Sequence, residues 1–220
     1  MTEGIDGLRA GVVEACRELA ASGLVLGSAG NVSARAGDHV LVTPTGAPLA
    51  TLTTDELAVV DLDGERVDGP LLPTSELPLH LAVYRSFDGA GAIVHTHPPM
   101  ATAVACVADE LPCIHYTLLS LGGAIRVAPY ATFGTSELAD TVVEALHGRG
   151  AALMGGHGAV TYGADVAAAT AATQLLEWAC GVYVHACACG TPRVLDADEQ
   201  AAVADALAPY GAAPYVARMA

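Results

Sequence analysis

The chain has 220 residues, 53% of them hydrophobic and 15% charged, with a formal net charge of −15. That length and apolar content fit one globular domain with a sizeable core and exclude a disordered chain. The acidic balance disfavours nucleic acid and anionic membrane surfaces as partners, while a small anion held locally by N–H groups or a metal stays open.

Residues 5–22 read as an amphipathic helix, with Ile5, Leu8, Val12, Val13, Cys16, Leu19 and Ala20 on one face and Gly23 as its stop. "GSAGNVSAR" (27–35) is a glycine-punctuated loop entering a strand, and "HVLVTPTG" (39–46) is a strand ending in a turn. Thr53 or Thr54 caps a short helix at "DELAVV", and "VVDLDGERVDG" (59–69) reads as a hairpin turning at Asp63-Gly64. "PTSELPLHLAVYRSF" (73–87) opens a helix with Ser75 near its start. Ala92-Ile93-Val94 begins a short buried strand to His97, which Pro98-Pro99 stop, and a helix over 99–108 follows.

"AIRVAPY" (124–130) is another strand, and "GTSELADTVVEALHGRG" (134–150) a helix with a Ser/Thr start and a glycine stop. "AALMGGHGAVTYG" (151–163) is two strands separated by glycines, before a long helix from Asp165 to about Cys189 and a last one over 196–211. The alternation argues for a layered α/β domain spanning 1–220, with no repeat or linker. No apolar run has membrane-spanning length and no signal-peptide pattern opens the chain, so the expected location is the cytoplasm.

The nine basic residues are all arginine. Without lysine there is no Schiff base, which removes pyridoxal-phosphate chemistry and lysine-type aldolases, and no Walker A loop. None of the six cysteines sits in a C-x-x-C pair. "HACACG" (185–190) lies in an Ala-rich helical pattern, where Cys187 and Cys189 read as small apolar residues of a packed helix. Disulfides are not expected.

The chemistry concentrates in "AIVHTHPPM" (92–100). On a strand, His95 and His97 share a face, roughly 6.6 Å apart along the chain, and both rings can converge on one ion. His157 in "GGHG" is a third candidate, because flanking glycines permit a tight turn and a close approach. Three histidines with an open fourth position make a catalytic zinc pattern, although each alone also reads as a hydrogen-bonded core residue. Glu76, opening a helix, is either a capping carboxylate or a catalytic one. "GNVS", "PTG" and "PTS" offer small residues, N–H groups and hydroxyls suited to phosphate, and each is also an ordinary turn.

"GSAGNVSAR", "TPTG", "PTSELPLH", "VHTHP", "IHY", "APYATFGTSELA" and "GGHGAV" occur in this order with the spacing of the class II aldolase/adducin-head family. The chain resembles that family over about residues 8–211, and most closely its members that cleave L-fuculose 1-phosphate. The resemblance implies a three-layer α/β/α sandwich with a mixed central sheet, in a homotetramer with active sites between subunits. It implies His95, His97 and His157 as ligands of Zn2+ (Mn2+ or Co2+ as alternatives), and Glu76 as the acid/base and a fourth ligand when substrate is absent. It further implies Gly30, Asn31, Thr45, Gly46, Thr74 and Ser75 as the phosphate site. Tyr116 and Tyr210 would line the aldehyde side, reaching in from a neighbouring subunit. Thr74 replaces the usual Ser, Thr96 the common Asn between the two His, and "GGHG" a form with one more His. The tail 212–220 departs from the family pattern.

The expected reaction is cleavage of a ketose 1-phosphate to dihydroxyacetone phosphate and an aldehyde. It needs a carbanion beside a ketone, and with no lysine a zinc Lewis acid would stabilise the enediolate. Glu76 would move the carbon-bound proton and Tyr116 serve the aldehyde oxygen. Rivals of the same fold are a phosphosugar 4-epimerase, which usually carries Asp at the Glu76 position, a methylthioribulose-phosphate dehydratase and a sugar-acid-phosphate decarboxylase. A non-catalytic adducin-head-like domain would have lost the histidines, and an H-x-H zinc hydrolase lacks its continuation, because Pro98-Pro99-Met100 follow.

Overall fold

The computed structural model describes residues 2–207. Among them, nine strands join one sheet: β1 (Asn31–Ala36), β2 (His39–Val42), β3 (Ala58–Asp61), β4 (Arg66–Asp68), β5 (Ala92–Thr96), β6 (Glu110–Leu111), β7 (Ile125–Ala128), β8 (Ala151–Met154) and β9 (Gly158–Gly163). Their order is β4-β3-β2-β1-β5-β9-β8-β7-β6. Only β7 and β8 pair in parallel, so the sheet is mixed. The strand carrying the H-x-H pair is therefore the central one, bonded on both sides. His95 and His97 sit at its C-terminal end, away from the lateral edges of the sheet, because β5 is apolar on both faces and is buried along its length.

The helices α1 (Thr2–Ala21), α2 (Leu77–Ser86), α3 (Pro99–Ala105), α4 (Ser136–Leu146), α5 (Val166–Cys189) and α6 (Ala197–Leu207) follow from capping and periodicity. Thr135 accepts from the Leu138 N–H at the start of α4 and Asp165 from the Ala168 N–H at the start of α5. Side chains alternate across the sheet. Ile93 of β5 and Val160 of β9 pack with Leu79 and Val83 of α2 and Val142 of α4. Ala92 and Val94 face the other way, onto Val12, Cys16 and Leu19 of α1 and Ala169 of α5. Further along that second face, Leu153 and Ala159 meet Val104 of α3 and Leu176 of α5. These are the three layers expected. Each buried Val, Leu or Ile stabilises them by roughly 1.5–3 kcal/mol.

Three local expectations change. Thr53 does cap a turn, a 3-10 turn at Thr54–Glu56 with a reciprocal capping box, but the Val59-Val60 that follow belong to β3, where they pair with β2. The helix after His97 stops at Ala105. Cys187 and Cys189 lie on α5 as predicted yet are exposed, whereas Cys180 is the buried one, and all six thiols are free. Among the described residues no helix is long and apolar enough to cross a membrane.

Candidate active site

Antiparallel pairing sets the first two groups of the site. In β5, His95 stands opposite Asn31 of β1 on one side and Val160 of β9 on the other. Its side chain shares the sheet face covered by α2. His97 follows the strand by one residue, and Pro98 ends the pairing. The turn between β8 and β9 supplies His157: its N–H bonds to Met154 O at 3.0 Å, and Gly156 takes φ +60°. The glycine after it lets two neighbouring segments touch, since a Cβ on Gly158 would lie 2.4 Å from Thr96 O and 3.1 Å from Cδ2 of His97. Glu76 comes from the N-terminus of α2. It makes no capping hydrogen bond there; its carboxylate turns to the histidines instead.

The three imidazoles form a nearly equilateral set, with centroids 4.8, 4.8 and 4.9 Å apart and steeply inclined planes. Nε2 of His95 is 3.0 Å from Nε2 of His97 and 3.1 Å from Oε2 of Glu76, and Nε2 of His157 is 3.4 Å from Oε1. Tetrahedral ligands about 2.0–2.1 Å from a zinc ion stand about 3.3 Å apart, close to these separations. The tautomer agrees. His95 Nδ1 donates to Ala159 O at 2.9 Å, so a neutral His95 has only a lone pair at Nε2 to offer a carboxylate oxygen. That contact is attractive only with a second proton or a cation at the centre. Oε1 of Glu76 is a buried acceptor without a hydrogen bond. A divalent cation fits this donor set.

The protonation states point the same way. Burial, then the charges of His95 and His157, push His97 down to about 4 against a weaker pull from Glu76. Burial and His95 likewise lower His157. For Glu76, burial works upward, but the hydrogen bond and charge of His95, the Asn31 hydrogen bond and the charge of His157 outweigh it and hold the carboxyl well below the usual carboxylate range.

A cavity of about 300 Å³ opens above the cluster. Its lining includes His97, His157 and Glu76, the predicted phosphate residues Gly30, Asn31, Thr45, Gly46, Thr74 and Ser75, and the rings of Tyr130 and Phe133. His95 lies fully buried behind it. Among the described residues no arginine lines it. The turns are less free than their sequences imply. The N–H of Thr45 bonds to Leu72 O, that of Thr74 to Thr43 O, and the Thr74 hydroxyl accepts from the Glu76 N–H. Among the described residues, the N–H groups of Gly46 and Ser75 and the hydroxyls of Thr45 and Ser75 make no such bond. They remain the groups able to meet an anion. Gly30, at φ +114°, brings its loop against β5: a Cβ there would sit 2.9 Å from His95 O.

Sequence reading missed a buried polar chain behind the cavity. Asn31 Nδ2 donates to Glu76 Oε2 at 2.9 Å, and its Oδ1 is 2.5 Å from Nε2 of His80. Nδ1 of His80 is 2.7 Å from Ser33 Oγ, which is 2.8 Å from the Tyr84 hydroxyl. The signal was available as two polar stripes: Asn31 and Ser33 two apart on a strand, and Glu76, His80 and Tyr84 four apart along a helix. Tyr116 is not brought to the cavity of its own chain. It begins a 3-10 turn, is 50% exposed and lies against His115, which meets Trp178. Tyr210 lies outside the described residues.

Known proteins share this arrangement of elements. The sequence profile described as Class II Aldolase and Adducin N-terminal domain matches residues 10–184. The 5-methylthioribulose-1-phosphate/5-deoxyribulose-1-phosphate aldolase of Rhodospirillum rubrum is 37% identical over 205 residues, covering 93% of this chain and 92% of its own. The L-fuculose phosphate aldolase of Escherichia coli (strain K12) is 38% identical over 193 residues, 87% of this chain and 89% of its own. A solved L-fuculose 1-phosphate aldolase superposes with a TM-score of 0.88 at 31% identity, over 92% of this chain and 96% of that one. With its central H-x-H strand, mixed sheet and two helical layers, this chain belongs to the class II aldolase and adducin N-terminal domain family.

Proposed function

We propose that this protein is a metal-dependent lyase that cleaves a ketose 1-phosphate to dihydroxyacetone phosphate and an aldehyde. One observation carries the reading. Three imidazoles and a carboxylate converge beside a cavity whose other polar lining groups, among the described residues, are neutral. His95, His97 and His157 would hold the metal, with Glu76 as a fourth ligand until substrate arrives. The donor set suits zinc, and manganese or cobalt as alternatives. Bound there, the ion supplies Lewis acidity toward the carbonyl and hydroxyl oxygens of the sugar.

The remaining steps belong to the chain. Ser75, Thr45, Gly46 and their neighbours bind the phosphate through N–H and O–H groups, and so place the reacting carbons beside Glu76. Glu76 moves the carbon-bound proton through Oε1, the oxygen that Asn31 leaves free: it removes the proton in condensation and returns it in cleavage. Tyr116, exposed and away from its own cavity, suits a role at the aldehyde side of a neighbouring subunit's site, with Tyr210 in the same role. That arrangement requires a homo-oligomer, and we infer a homotetramer.

Two of the relatives are named for different sugars, and both names specify aldolases of ketose phosphates. They favour carbon–carbon cleavage over epimerisation, dehydration or decarboxylation and leave the aldehyde to be assigned. The test is an assay of dihydroxyacetone phosphate release from L-fuculose 1-phosphate, 5-deoxyribulose 1-phosphate and 5-methylthioribulose 1-phosphate, with and without chelator. Release that chelation abolishes and zinc restores is the expected result. Turnover that survives complete metal removal overturns the reading.

A further inference from the structure

We propose that His80 is a positioning residue for this site: with its proton on Nε2, it locks the Asn31 amide and, through that amide, Oε2 of Glu76. The inference rests on the lyase reading for the reaction it serves, and on hydrogen-bond direction for the rest.

The direction follows from donor and acceptor chemistry alone. An ionised carboxylate only accepts, so the Asn31 group 2.9 Å from Glu76 Oε2 is its NH2. The other end of the same amide, facing His80 Nε2 at 2.5 Å, is then the carbonyl oxygen. Nε2 must donate to it. A neutral imidazole has one proton, so Nδ1 is an acceptor and takes the Ser33 hydroxyl proton at 2.7 Å. Ser33 Oγ, having donated, accepts from the Tyr84 hydroxyl at 2.8 Å. Every donor in the chain from Tyr84 to Glu76 points the same way. Reversing any member leaves two acceptors or two donors face to face.

Burial raises the cost of such a reversal. Ser33, His80 and Tyr84 are at most 1% exposed, and Asn31 is 4% exposed, so no bulk water repairs a mismatch. An Asn amide alone flips readily, because its two ends differ little in shape. Here Glu76 Oε2 and the His80 Nε2–H hold the two ends of the amide between them, and a flipped amide would satisfy neither. At the site, Oε2 then stays engaged by Asn31, and Oε1, which accepts no hydrogen bond, is the oxygen left for proton transfer. An ordinary buried polar cluster would stabilise the fold without choosing between the two carboxylate oxygens.

The test uses the full zinc-loaded protein. In His80→Phe, which keeps a planar aromatic ring and removes both polar atoms, turnover should fall by about 10- to 100-fold, with KM within about twofold and zinc content unchanged. His80→Gln, whose amide nitrogen reaches the Nε2 position, should recover most of that loss. Independently of any substrate, 15N-labelled histidine spectra should show the His80 ring neutral and protonated on Nε2 between about pH 6 and 8. Equal losses in both variants, or losses tracked by zinc release, make His80 merely structural and overturn the proposal. So does a ring protonated on Nδ1. Should His80→Phe fail to fold, Ser33→Ala and the spectra decide it by the same criteria. A wild-type protein inactive on every ketose 1-phosphate sinks the lyase reading, and the spectra then still decide the direction of the chain.

Discussion

Gly158 and His97 are in contact across the β5–β9 pair: the bare Cα of the one makes room for the ring of the other. The glycines of "GGHG" thus divide their work. Gly156 bends the turn that presents His157, and Gly158 admits His97, so one short segment places two of the three imidazoles.

Gly158→Ala should therefore weaken zinc binding at least about tenfold and lower stability by about 1–3 kcal/mol. Metal titration and thermal unfolding measure the two effects. Gly148→Ala is the control: its φ of +70° strains the backbone, but no atom lies within 4 Å of the added carbon, and zinc affinity should not change. If Gly158→Ala binds zinc like the wild type, the contact does not position His97.

Glu76→Gln keeps the shape of the side chain and removes its charge and basicity. Turnover should drop by about 10²- to 10⁴-fold, with zinc still held by three histidines. Steady-state rates beside metal analysis decide this, and an unimpaired variant would remove Glu76 from proton transfer.

Acid should destabilise the protein through His80. Burial first, and then the charge of His95, push its imidazole down to about 3 against the pull of Glu76. In the unfolded chain the ring returns to about 6.5. Between those values the unfolded state binds a proton that the folded state refuses, so stability falls as pH falls and is unaffected above the window. From pH 7 to pH 5 the wild type should lose about 2 kcal/mol more than His80→Gln. Urea unfolding at the two pH values measures it, and parallel losses in both proteins would count against a neutral buried ring.

The proposal that sites are shared between subunits predicts complementation. Tyr116→Phe and Glu76→Gln proteins, each expected to be impaired, should regain activity when unfolded together and reassembled, because some mixed sites would then hold both native groups. An activity equal to the average of the two parents would count against a site shared between subunits.

Periodicity and capping residues made most elements legible from sequence, because they are local: the Ser/Thr start of α4, the start of α5 at Asp165, the Asp63-Gly64 hairpin and the glycine-broken strands all stand where they were expected. The meeting of the three histidines was legible for a similar reason. The i, i+2 spacing of His95 and His97 has a fixed meaning on a strand. What sequence withheld was adjacency. Nothing local says that β5 lies at the middle of the sheet, or that the stripe bearing His80 on α2 faces the stripe bearing Ser33 on β1. For the same reason sequence did not show which N–H groups of the turns stay free, since Leu72 O and Thr43 O, which occupy those of Thr45 and Thr74, come from other segments.

The central place of β5 also orders events in time. Asn31 meets His95 only once the β1–β5 ladder has closed, and the Ala159 carbonyl that sets the His95 tautomer arrives only with the β5–β9 ladder. Both ladders join distant parts of the chain, and such contacts form late because loop closure must precede them. During refolding, helical signal should recover first. Zinc affinity and turnover return last, when the middle strand has been inserted, which makes catalysis a reporter of complete folding rather than of collapse.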